Sequence, residues 1–242
     1  MPTSVLPYKD TSSGKKEQVA VMFNNIAHRY DFLNQLLSFG IHKYWRKKVV
    51  QLLKPAKPKT ILDIATGTAD FAIETLKLNP EKIIGVDISE GMLNLGKEKI
   101  KKKGVDGKIE LLVADSENLP FENDSFDAIT VGFGVRNFEN IEKGLSEMYR
   151  VLKHEGSVVI LEFSRPAIFP IKQLYHFYFL KVCPFIGKIF SKDYSAYTYL
   201  PLSVYAFPDS KNFLNTMNRV GFKQTMCKPL TFGIASIYLG RK

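Results

Sequence analysis

Three acidic residues close three successive apolar runs. Asp63 stands in Ile61-Leu62-Asp63-Ile64-Ala65-Thr66-Gly67-Thr68-Ala69-Asp70, Asp87 ends Gly85-Val86-Asp87, and Asp115 lies between Val113-Ala114 and Ser116. If each run is a parallel strand, all three carboxylates reach the carboxyl edge of one sheet, where doubly wound folds bind ligands. The small residues after Asp63 let a backbone turn approach a ligand, although alone they also fit a plain tight turn, because Ala65 and Ala69 stand where a dinucleotide fingerprint wants glycine. Asp87, 20 residues past Gly67, is placed to accept hydrogen bonds from both hydroxyls of a ribose. A carboxylate at Asp63 would repel a pyrophosphate, which argues against NAD. A sulfonium cofactor carrying an amino group meets no such objection.

The elements that must hold these residues follow from periodicity. Apolar runs at Thr60–Ile64, Ile83–Val86, Ile109–Val113, Phe126–Val131 and Ser157–Leu161 alternate with helical patterns over Asp70–Leu78, Glu90–Lys102 and Ile141–Leu152, the signature of a doubly wound α/β sheet covered on both faces. Before the sheet, apolar residues between Gln18 and Leu53 recur at three- and four-residue spacings and predict two or three amphipathic helices. After Pro166 an aromatic stretch reaches Phe190, a Tyr-rich loop runs through Pro208, and a helix covers Ser210–Arg219. Two strand-like runs follow, Phe222–Lys228 and Phe232–Leu239, too close together for a crossover helix, so they must pair antiparallel. Residues 1–12 read as a loose terminus. Lys97, Lys99, Lys101, Lys102 and Lys103 read as a solvated helix end that favours the helix macrodipole.

Composition narrows the classes further. The 242 residues, 45% hydrophobic and 24% charged, suit one globular domain with decorations and exclude a disordered, collagenous or coiled-coil chain. Two cysteines cannot build a disulfide framework or a four-ligand zinc site, no metal is expected, and no leader follows Met1, so a reducing cytoplasm is the expectation. A net charge of +10 points to an anionic partner: nucleic acid, a phosphorylated substrate or a membrane surface.

The order of acids and small residues over 60–162 resembles the class I S-adenosylmethionine-dependent methyltransferases. The resemblance implies a Rossmann-like sheet, mostly parallel with an antiparallel C-terminal strand. On it Asp63, Gly67 and Thr68 belong to the loop at the methionine part of the cofactor, Asp87 holds the ribose, and Asp115 with Ser116 meets the adenine. The flanks are more specific. Tyr30-Asp31-Phe32-Leu33-Asn34, followed by Ser38, His42 and Trp45, resembles the N-terminal fingerprint of the ubiquinone/menaquinone C-methyltransferases, with Leu33 where that family has Met. Arg150-Val151-Leu152-Lys153-His154-Glu155-Gly156 leading to Glu162-Phe163-Ser164 resembles its second fingerprint, with His154 and Glu155 in place of Pro and Gly. Phe133–Asn137 and Lys192–Pro201 also look like family segments. The resemblance spans about 18–242 and divides one domain, 1–242, into a helical cap (18–55), the cofactor-binding core (60–162), a helical, aromatic lid (166–208) and a C-terminal helix and strand pair (209–242).

The activity implied is C-methylation of a prenylated demethylmenaquinol ring, the last methylation of menaquinone biosynthesis; the benzoquinol branch, an RNA methyltransferase and a non-catalytic cofactor-binding protein are the alternatives. A quinol carbon becomes nucleophilic when a ring hydroxyl ionises. Lowering a phenol-like pKa from ~10 to ~7 takes about 4 kcal/mol. A guanidinium ~4 Å away supplies about that at an effective dielectric of ~20. Arg136, after the fourth strand, is cast as that cation, Asn137 as the orienter of the second hydroxyl, and His42 as the group that removes the proton after transfer. The prenylated quinol is the expected partner, together with peripheral contact at the inner face of a membrane through the greasy, lysine-interrupted lid. No nucleic acid is expected, and a homodimer is left open.

Overall fold

The protein is described by a computed structural model over residues 5–8, 12–190, 193–208 and 210–242, with backbone only for Ile189 and Phe190. The parts of the loose-terminus reading at 1–4 and 9–11, and Lys192 of the last family segment, lie outside the described residues.

Seven strands form one sheet: β1 (Thr60–Ile64), β2 (Lys82–Asp87), β3 (Ile109–Val113), β4 (Phe126–Gly132), β5 (Leu152–Phe163), β6 (Lys223–Leu230) and β7 (Ala235–Arg241), in the order β3-β2-β1-β4-β5-β7-β6. The first five run parallel, and β7 is antiparallel to both β5 and β6. Strand alternation sends Ile61 and Ile83 to one apolar layer and Leu62, Ile64 and Val86 to the other, so both faces are buried as the apolar runs require.

Helices α1 (Lys15–Leu37) and α2 (Ile41–Leu53) precede the sheet, α3 (Asp70–Thr75), α4 (Glu90–Lys102) and α5 (Ile141–Val151) lie between strands, and α6 (Ile171–Phe177), α7 (Cys183–Phe190), α8 (Tyr194–Ala206) and α9 (Ser210–Val220) separate β5 from β6. Side-chain oxygens start α4 and α5, among others: Ser89 accepts the Met92 amide and Asn140 the Lys143 amide. Trp45 of α2 is buried, and its indole N–H donates to Thr231 Oγ1 at 2.8 Å.

Four expectations need correction. The Tyr-rich segment is helix α8: Asp193 caps it by accepting the Ser195 amide, and Ala196, Tyr197, Tyr199, Ser203 and Val204 form its buried face. Tyrosines and Pro201 disguised it, yet a proline removes one helical hydrogen bond and tertiary burial outweighs that loss. Strand β5 begins at Leu152, five residues before the apolar run, because Lys153, His154 and Glu155 continue it with polar side chains. Glu155 adopts φ 64, a left-handed conformation glycine takes without cost, and stands where the resembling family has Gly. Phe232 leaves its expected strand for a tight turn at Thr231–Gly233, largely exposed. Lys99 is not solvated: its ammonium meets Asp31 at 2.6 Å and Asp70 at 2.7 Å and tethers α1 to the sheet loops.

Candidate active site

The carboxyl ends of β1, β2, β3 and β4 open on two adjoining cavities that share Ala65, Gly67, Phe133 and Asn137, beside the point where strand order reverses between β1 and β4. The smaller, about 60 Å³, lies over Asp87, Asp115 and Ser116; the larger, about 840 Å³, reaches from Gly67 to the α6–α8 segment.

The turn after β1 explains its own residue choice. Ala65, Gly67 and Ala69 all take positive φ, 52°, 55° and 63°, so the glycine positions of a dinucleotide fingerprint have a conformational meaning here even where alanine stands. A side chain at Gly67 would meet nothing within 4 Å, so bare backbone faces open space. The Gly67 amide donates to Asp87 Oδ2 at 2.8 Å and the Ser89 amide to Oδ1 at 2.9 Å. Burial pushes the Asp87 carboxyl above the usual range, and these amide bonds oppose the rise. Asp87 lines the smaller cavity, and a carboxylate braced by backbone amides there fits a ribose diol.

The other proposed cofactor residues divide. Asp63 lies beneath the turn, with no exposure, accepting hydrogen bonds from Thr66 Oγ1 at 2.6 Å and Thr130 Oγ1 at 2.7 Å, and it lines neither cavity. Burial raises its pKa to about 6. Its work is to brace the loop. Thr68 lines the larger cavity, but its hydroxyl is spent on Asp31 at 2.7 Å and receives Lys99 at 2.9 Å. Asp115 and Ser116 line the smaller cavity, where Lys16 of α1 meets Asp115 Oδ2 at 2.6 Å. An adenine amino group at Asp115 would share the carboxylate with that ammonium.

The larger cavity gathers Arg136, Asn137 and His42. Arg136 is not the lone cation expected: Nη1 donates to Glu162 Oε1 at 2.8 Å, to a carboxylate with no exposure, and also to the Phe133 carbonyl. The Arg136 amide adds a bond to Glu162 Oε2 at 3.2 Å, and the guanidinium lies over the Phe163 ring at 5.5 Å. Glu162 therefore cancels most of the long-range field. A direct hydrogen bond from the guanidinium remains, worth ~1.5–3 kcal/mol to a charged acceptor, or about one to two pKa units rather than three. Lys15 fixes the same turn from α1, donating to the carbonyls of Arg136 at 3.0 Å and Phe138 at 2.8 Å. Burial, and then Arg136, lower its pKa to about 8.

His42 Nδ1 hydrogen-bonds Ser38 Oγ, and that hydroxyl donates to the Asn34 carbonyl at 2.6 Å. With its one proton spent, Ser38 must accept from His42, which places the imidazole proton on Nδ1 and the free lone pair on Nε2. Burial lowers the His42 pKa to about 4, so the ring is neutral at physiological pH. Lys15 was given no role from sequence, and Tyr175 of the lid and Tyr199 of the last family segment were not placed at the reacting ring. Glu162 stood in the second fingerprint and as a charge inside an otherwise apolar strand end, but its pairing with Arg136 was not read.

A family model described as the ubiE/COQ5 methyltransferase family matches residues 11–242. Demethylmenaquinone methyltransferase from Bacteroides fragilis is 52% identical over 98% of this chain and 97% of its own. The protein of that name from Porphyromonas gingivalis is 44% identical over 100% and 99%. Ubiquinone/menaquinone biosynthesis C-methyltransferase UbiE from Geotalea daltonii is 52% identical over 94% and 97%. A solved S-adenosylmethionine-dependent methyltransferase from Thermotoga maritima superposes with a TM-score of 0.62 over 92% of this chain and 99% of that one, at 21% identity, and shares the fold.

Proposed function

The chain belongs to the ubiE/COQ5 methyltransferase family, and we propose that within it the protein methylates a ring carbon of a prenylated demethylmenaquinol. It is an S-adenosylmethionine-dependent C-methyltransferase of quinone biosynthesis. The menaquinone branch is favoured by the relatives from Bacteroides and Porphyromonas, which are named for it. The observation that carries the substrate reading is the larger cavity: about 840 Å³, walled by aromatic side chains, yet holding an Arg–Asn pair at the carboxyl edge of β4. That suits a flat apolar ring with hydroxyl groups and a hydrocarbon tail.

S-adenosylmethionine, when bound, supplies an electrophilic methyl group; Asp87, the Gly67 turn, Asp115 and Ser116 are the residues that fit it. The ring hydroxyl ionises with its proton leaving to water or to Asp115, and Arg136 donates a hydrogen bond to the phenolate oxygen that forms, whose charge raises electron density on the neighbouring carbon. Asn137 orients the ring. His42 Nε2 accepts the proton that the methylated carbon loses as the ring regains aromaticity.

The segment 163–192 contains no acidic residue but has Arg165, Lys172, Lys181, Lys188 and Lys192. Phe169, Phe177 and Phe185 are 77%, 63% and 64% exposed, while Tyr175, Phe179 and Cys183 turn inward to line the cavity. We read the outer face as resting on an anionic bilayer that delivers the tail. Cosedimentation with anionic but not zwitterionic vesicles checks this. No helix among the described residues is long and apolar enough to cross a membrane.

Since only the dihydroxy ring is a carbon nucleophile, methylation of a prenylated naphthoquinone under anaerobic conditions should require dithionite. Equal rates with and without reductant would rule the reading out.

A further inference from the structure

Four buried polar atoms have no protein hydrogen-bond partner among the described residues: Arg136 Nε, Asn137 Oδ1, Tyr175 OH and Tyr199 OH. All four residues line the larger cavity and are at least nine-tenths buried. The four atoms themselves have almost no accessible surface, and since buried polar groups are overwhelmingly bonded, four of them on residues that line one cavity mark contacts that a ligand completes as these side chains turn toward it. They fall into two pairs by origin. Arg136 and Asn137 are neighbours on the turn after β4, whereas Tyr175 comes from α6 and Tyr199 from α8. The Tyr175 ring is held by stacking on Phe179, with centroids 4.5 Å apart.

We propose that Tyr175 and Tyr199 hold the second ring hydroxyl, the role the sequence suggested for Asn137, while Asn137 joins Arg136 at the opposite hydroxyl, and that the two pairs so fix which ring carbon faces the methyl donor. This rests on the quinol reading above and names specificity residues for that same site. The chemistry of the groups matches. A guanidinium N–H only donates and an amide oxygen only accepts, which together complement one hydroxyl, and two phenols, each donor and acceptor, complement another. Burial raises both phenols, Tyr199 to about 12, so both stay protonated as donors. A ring held at two opposed oxygens cannot rotate in its plane, and a site built to bond a hydroxyl rejects an analogue that lacks it.

The test uses the enzyme saturated with S-adenosylhomocysteine and two probes, the prenylated naphthols that each lack one of the two ring hydroxyls, with the diol as reference. Calorimetry should show that Tyr175→Phe/Tyr199→Phe weakens the diol and one naphthol roughly tenfold, the size expected for two neutral hydrogen bonds, and leaves the other naphthol within about twofold. Affinity for S-adenosylhomocysteine should stay within about twofold. The variant's Tm should equal or exceed that of the parent, because it removes two buried hydroxyls without protein partners. Equal weakening of both naphthols, or of neither, overturns the proposal while leaving the substrate reading intact. Failure of the diol and both naphthols to bind overturns the proposal and the substrate reading together.

Discussion

Replacing Arg136 with alanine lowers kcat by about a hundredfold at neutral pH, with little change in KM or in cofactor affinity. The charge that Arg136 faces develops only as the hydroxyl ionises, so its bond is stronger in the transition state than in the ground state. The size follows from Glu162. With that carboxylate 2.8 Å from the guanidinium, the loss is one charge-assisted hydrogen bond and not a full unit charge. Alanine also strands Glu162, whose side chain has no exposure, at a cost of roughly 3–5 kcal/mol of stability. The kinetic comparison therefore uses Arg136→Ala/Glu162→Gln, which removes both charges and should refold while remaining slow. Its rate should climb with pH toward the quinol's own pKa of about 10, since hydroxide ionises the ring without help. Arg136→Lys should fall between, because an ammonium keeps the charge but loses the planar fork that reaches Glu162 and ring together. Full kcat in the double variant at neutral pH, or a defect confined to KM, would remove Arg136 from the reaction.

Asp87→Ala weakens S-adenosylmethionine binding by about 1.5–3 kcal/mol, the range for a hydrogen bond to a charged group. Asp63→Ala is the contrast. Both aspartates lie near the carboxyl ends of neighbouring parallel strands, but Asp63 sits one residue inside β1, covered by Thr66 and Thr130, and lines neither cavity. Its loss strands two hydroxyls and should lower Tm while changing cofactor affinity of the folded protein less than about threefold. Because burial raises the Asp87 pKa, affinity should fall with decreasing pH at higher pH than an ordinary carboxylate would cause. A protonated carboxyl accepts the ribose diol poorly, so the loss runs toward acid. Calorimetry that finds Asp87→Ala unchanged, or Asp63→Ala equally impaired, would contradict this assignment.

The parallel core was legible because strands buried on both faces read as uninterrupted apolar runs, and Thr60–Ile64 and Glu90–Lys102 have the bounds the pattern predicts. Candidate residues at strand ends were legible for the same reason, since topology alone brings Asp87 and Asp115 to one edge. What sequence hid were partners distant in the chain. Lys99 looked like part of a solvated lysine cluster, yet its carboxylates, Asp31 and Asp70, lie 68 and 29 positions away. Arg136 and Glu162 each stood in a family segment, but their pairing across 26 residues, which changes how the guanidinium acts, did not show in the sequence. Helix α8 was hidden by composition, as tyrosine and proline are weak helix formers and burial of Tyr197, Tyr199 and Val204 decides the matter. With α8 read as a loop, Tyr199 could not be placed against the cavity.

Transfer of a methyl group to carbon of a reduced ring can be read directly from the product. The most direct measurement supplies S-adenosylmethionine carrying a carbon-13 methyl group and dithionite-reduced prenylated demethylnaphthoquinol, then locates the label by NMR. One labelled methyl is expected on the ring carbon beside the prenyl-bearing carbon, in a product that reoxidises to a quinone. A label on oxygen, or no transfer from an enzyme that binds both compounds, would contradict it.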